Sequence, residues 1–76
     1  EILNLFKQKK FIDVAKKGSK LNKNQPNDPQ LLYILGLANI NIQNFLEAEK
    51  YFQRLILIKQ NAEIYYTFGN IKSYLI

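Results

Sequence analysis

The chain has 76 residues, and 11 Lys and Arg against 6 Asp and Glu give it a net charge of +5. It holds no Cys and no His, which excludes a disulfide framework and a thiolate or imidazole metal site and removes the commonest general base. A chain this short makes one small domain burying only about 60% of its unfolded surface, while an apolar share of 47% is too high for a disordered segment.

In chain order, the first stretch, 1–8, is apolar at Ile2, Leu3, Leu5 and Phe6 and is interrupted by KQKKF. The second, 11–23, carries Lys16, Lys17, Lys20 and Lys23, with Asp13 placed to pair with Lys17 one helical turn on. With Lys7, Lys9 and Lys10 this puts the whole imbalance into residues 1–25, where seven Lys face Glu1 and Asp13; the remainder is neutral.

NQPNDP at 24–29 is the strongest turn signal in the chain. Asp28 followed by Pro29 is an N-cap with Pro at the first helical position, where a missing N–H costs nothing. The helix expected over 29–42 carries Leu31, Leu32, Leu35 and Ala38 at helical spacing. Asn44 with Glu47 three residues later fits a capping box opening 45–59, in which Leu46, Ala48, Tyr51, Phe52, Leu55 and Ile58 keep that spacing. Asn61 is placed to cap 62–75, and Glu63 complements its dipole. No stretch alternates with period two. The fold class expected is therefore all-α, and breaks this short imply antiparallel neighbours. No apolar run approaches the ~20 residues of a membrane span and no secretory leader opens the chain, so the cytoplasm is the default location. Without a Met, residue 1 is not expected to be a natural start, and the chain is expected to continue in a longer protein.

An interior Gly costs a helix about 1 kcal/mol relative to Ala. Gly36 nevertheless sits inside LLYILGLANI, and Gly69 inside YYTFGNIKSY. Gly36 and Gly69 are 33 residues apart, as are Tyr33 and Tyr66, while Phe11 and Phe45 are 34 apart. Helix pairs repeating at about 34 residues, with a W-x2-L-G-x2-Y, A-x3-F and P pattern, are the mark of tetratricopeptide (TPR) repeats. The middle unit carries Leu32, Leu35-Gly36, Asn39 and Ala48-x3-Phe52, with Gln60 in the proline place. The last carries Tyr65, Phe68-Gly69 and Lys72; the first carries Phe11, Val14-x3-Gly18 and Pro26. The chain thus resembles the TPR family over essentially its whole length, as a truncated repeat at 1–26, a full one at 27–60 and, at 61–76, the first helix of a third or a terminal helix. Asn39 and Lys72 depart from the usual Tyr, and Gln60 from the usual Pro.

That resemblance implies an α-solenoid of antiparallel helix pairs, a fragment of a right-handed superhelix. It implies that Gly36 lies where the paired helices approach closely, with Ala48 among the small residues opposite and Phe52 in the packing. Gly69 takes the same role toward a helix beyond the fragment. Gly18 replaces an aromatic and is expected to leave a gap or a bend. It also implies a non-catalytic protein–protein interaction module that binds another protein or a peptide in a groove formed by the first helices of successive units. The groove residues carried over are Leu3, Phe6 and Lys7; Tyr33, Ile34, Leu37, Ile40 and Asn41; and Tyr66, Thr67, Asn70, Ser73 and Tyr74. A carboxylate clamp fits poorly, since Tyr33 and Tyr66 stand where a clamp Lys is wanted. An apolar, Tyr-rich groove suits an amphipathic helix or apolar peptide.

Three readings of this stripe stand side by side: a partner groove, packing between adjacent repeats, and a surface for self-association, since IKSYLI is not the polar cap on which solenoids end. A fourth, of another class, is nucleic-acid or anionic-surface binding by Lys9, Lys10, Lys16, Lys17, Lys20 and Lys23; it is the weakest, because the region has no Arg and no known nucleic-acid module. Glu47 and Glu49, the only close acids, do not share a helix face. The expectation is no enzyme, no cofactor and no metal.

Overall fold

A computed structural model describes residues 2–75; Glu1 and Ile76, which the expected first helix and third unit include, lie outside them. Five helices account for the described chain: α1 (Ile2–Lys7), α2 (Phe11–Asn24), α3 (Pro29–Asn41), α4 (Phe45–Ile58) and α5 (Ala62–Leu75). Each packs on the next, and α1 also touches α3. The body measures 30 × 23 × 18 Å. Among the described residues no helix is long and apolar enough to cross a membrane.

The helix starts follow local chemistry. Asp28 Oδ1 accepts from the backbone N–H of Gln30 at 3.1 Å and of Leu31 at 3.5 Å, and Pro29 opens α3. Asn61 Oδ1 caps α5 in the same way, accepting from Glu63 at 2.8 Å and Ile64 at 3.4 Å. The expected capping box at α4 does not form. Asn44 makes no side-chain cap bond, and Glu47 pairs with Lys50 at 3.2 Å instead. In the preceding turn the Asn44 N–H already donates to the Asn39 carbonyl at 2.8 Å and is not free to donate to the Glu47 carboxylate.

That turn occurs twice. Lys9 and Gln43, 34 residues apart, both adopt positive φ, 61° and 63°. Around each, two backbone N–H groups reach back to the end of the preceding helix: Lys9 to Phe6 and Lys10 to Leu5, then Gln43 to Ile40 and Asn44 to Asn39. These are the paired closing bonds of a Schellman motif, made here without Gly. Phe11 and Phe45 begin the helices that follow.

Two apolar clusters form the interior. The larger joins Leu31, Leu32 and Leu35 to Ala48, Phe52, Leu55, Ile64 and Ile71; the smaller joins Val14, Ile34 and Ala38, with Ile2, Leu5, Phe6 and Phe11 against it. Central to both, α3 is buried at seven positions. Gly36 is a point of close approach, and the atoms nearest to a Cβ there belong to the ring of Phe52. Gly18 leaves no gap, and α2 continues as helix through it. It is buried under Leu35 and Ile2, and a Cβ there would stand 2.9 Å from the Ile2 Cδ1. Gly69 faces open space. Asp13 and Lys17 do not pair; Lys50–Glu47 is the one ion pair among the described residues.

Candidate interaction surface

The groove residues expected from sequence divide into three groups. The first stays partly open on α3: Tyr33, Leu37 and Ile40, packed by one edge on the larger cluster, with exposed Asn41 beside them. Tyr33 meets Phe52 edge to face, with ring centroids 5.8 Å apart, so its ring is held while its hydroxyl end faces α5. Burial, and then the nearby Glu63 carboxylate, raise the phenol above its ordinary pKa.

The second group belongs to the interior. Ile34, only 7% exposed, packs with Val14 and Ala38 and is not a groove residue: α1 and α2 cover that flank of α3. Phe6 is likewise drawn into the smaller cluster and meets Phe11 edge to face at 5.7 Å. Leu3 and Lys7 of α1 remain exposed.

The third group lies on α5. Tyr66 is 73% exposed, and Asn70 is exposed as well. Thr67 is half-buried and donates its hydroxyl to the Glu63 carbonyl at 2.9 Å; Ser73 donates to the Asn70 carbonyl at 2.6 Å. Asn41 does the same on α3, donating to Leu37 at 2.8 Å. Three polar candidates are therefore satisfied by their own helices. Tyr74 is stacked on Phe45 of α4, centroids 4.6 Å apart and planes 15° from parallel. It ties α5 to α4 while staying 62% exposed.

At one end of this surface the first turns of α3 and α5 enclose a cleft of about 490 Å³. Tyr33, Leu55 and Ile64 line it, and Asp28, Lys59, Asn61 and Glu63 supply its polar rim. Sequence reasoning placed Asp28 and Asn61 as caps, which they are, but not as walls of one cleft. That juxtaposition depends on α4 returning the chain beside its start, and nothing local signals it. The cleft combines an apolar floor with a few polar groups, the usual make-up of a recognition pocket.

Comparison of the chain with protein-family models, with curated proteins and with solved structures finds no match.

Proposed function

We propose that this chain is a non-catalytic interaction module: a TPR-like α-solenoid of about two and a half helix pairs that binds an apolar or amphipathic peptide along α3 and α5. The repeat reading is supported by the two Lys9 and Gln43 turns, 34 residues apart, and by Gly36 and Gly69 at matching places in α3 and α5. Units at 1–26, 27–60 and 61–76 follow from it.

One observation carries the binding reading. Tyr33, Leu37 and Ile40 have packed one edge into the interior and keep the other open, in a row that ends at the cleft between α3 and α5. Aromatic and aliphatic side chains held rigid from below lose little conformational entropy on binding, which is what anchor residues require. Peptide display against the 76-residue chain, followed by titration of the selected peptides, tests it. Leu37→Asp and Tyr66→Ala variants that keep the parent's melting curve are expected to lose the peptides; full retention in both would refute the site.

A second reading, self-association, is favoured by α5. Gly69 faces open space, and Tyr65, Tyr66 and Leu75 are exposed around it. Light scattering over a concentration series at two salt levels separates the two. A dimer that persists at micromolar concentration supports association through α5, and a monomer supports the peptide site.

A further inference from the structure

The groove between α2 and α4 lies on a different face, and the peptide site proposed above does not use it. It encloses about 600 Å³. Lys16, Lys20 and Lys23 form one wall, and Asn44 and Glu47 stand on the other. All three lysines are exposed, and none has an ion-pair partner among the described residues. Their i, i+4, i+7 spacing puts them in one row about 10 Å long on one flank of α2. Lys17, turned about 100° from Lys16 on the helix, does not line the groove.

The one acid in the groove is already engaged, since Glu47 holds Lys50 at 3.2 Å. Arg54 of α4, outside the groove's lining, donates to Asn22 Oδ1 at 3.1 Å and to the Pro26 carbonyl, bracing α4 against the end of α2. The groove is thus shaped by neutralised or bonded groups and left positive by three lysines. Ser19 and Asn44 add polar side chains, and Asn44 caps nothing.

We propose that this groove docks an acidic segment of a partner protein, a run rich in Asp and Glu lying along α2. Charge complementarity selects an anionic occupant. The steps from Lys16 to Lys20 and from Lys20 to Lys23 are about 6 Å and about 4.5 Å along the helix; the first is close to the roughly 6.8 Å between alternate side chains of an extended chain, and the long, flexible Lys23 side chain spans the difference at the second. Ser19 and Asn44 would take the backbone groups that such a strand leaves unpaired. Single-stranded nucleic acid fits less well. It binds on exposed aromatic platforms, and the one aromatic here, Tyr51, is buried with the core.

The test is fluorescence anisotropy of a labelled deca-glutamate peptide titrated with the 76-residue chain at 50 and 150 mM NaCl, beside a deca-glutamine peptide and a ten-nucleotide single strand. Two triple variants of equal net charge are compared: Lys16→Glu, Lys20→Glu, Lys23→Glu in the groove, and Lys9→Glu, Lys10→Glu, Lys72→Glu, exposed lysines outside both the groove and the α3–α5 cleft. At 150 mM NaCl, where the Debye length is about 8 Å and exposed charges act locally, the groove variant is expected to bind deca-glutamate at least about tenfold more weakly, and the remote variant within about twofold of the parent. Equal losses in both variants would reduce the effect to net charge and overturn the site. Tighter binding of the oligonucleotide than of the peptide would overturn the assignment of the partner, and no binding of deca-glutamate at 50 mM salt would overturn both. Matching melting curves of the two variants keep the comparison free of unfolding.

Discussion

The ring of Phe52 in α4 lies directly over Gly36 in α3, so that a Cβ at residue 36 would meet three ring carbons, the farthest of them 3.0 Å away. Phe52 is fully buried and is also held edge to face by Tyr33. The ring cannot swing aside without disturbing the larger cluster. Gly69, in the matching place on α5, would meet nothing within 4 Å.

These two glycines predict opposite responses to one substitution. Gly36→Ala gains about 1 kcal/mol of helix propensity but overpacks the interior, and overpacking costs about 1–3 kcal/mol, so a net loss is expected. Gly69→Ala collects the propensity term alone and is expected to stabilise by about 0.5–1 kcal/mol. Urea unfolding of both variants decides it, and a Gly36→Ala variant as stable as the parent or more so would show that Phe52 does not press on Gly36.

Much of the helical pattern was legible because its signals are local. Asp28-Pro29 and Asn61 act on N–H groups two and three residues away, and the structure uses them as the sequence suggests. Where sequence reasoning missed, the cause lay far along the chain. Gly18 has its reason in Leu35 and Ile2, and Ile34 is interior because α1 and α2 close over it. Of the expected groove, Tyr33, Leu37 and Ile40 form a partly open row, while Ile34, Phe6 and Tyr74 are taken by packing or stacking that residue spacing does not reveal.

The two left-handed turns supply a second prediction. A non-Gly residue in this conformation bears about 1–2 kcal/mol of steric cost that Gly does not, offset in part by the greater freedom Gly has when unfolded. Lys9→Gly and Gln43→Gly are each expected to raise stability by about 0.5–1 kcal/mol. Gln43 joins two long helices around the core, so its variant should show the clearer rise in melting temperature. A fall in both variants would mean that neither turn has the closing geometry described.

The caps give a third prediction. Asp28→Ala and Asn61→Ala each remove a side-chain acceptor from two N–H groups and should cost about 1 kcal/mol. Asn44→Ala removes no such bond and should change stability by less than about 0.5 kcal/mol. Sequence alone ranks Asn44 as a cap equal to the others, so the three midpoints measured together separate the capping-box expectation from the structure.

Tyr33 makes stability depend on alkaline pH in a defined direction. Burial first, and the Glu63 carboxylate second, raise its pKa above the ordinary value of 10.0. The unfolded chain releases the proton near the ordinary value while the folded chain still holds it, so the folded state binds more protons above that pH. The contribution is fully present below about pH 10 and is lost as the pH rises through the folded value. Tyr33→Phe has no proton to lose. The difference in unfolding free energy between parent and Tyr33→Phe should therefore be flat from pH 7 to 9 and then move against the parent, a comparison in which the titration of the lysines cancels. Glu63→Gln keeps the burial and removes the charge, so its alkaline loss should be smaller than the parent's but not absent. If the parent and the Phe variant lose stability in parallel up to pH 11, the Tyr33 hydroxyl is neither desolvated nor beside Glu63, and the α3–α5 cleft has been assigned the wrong wall.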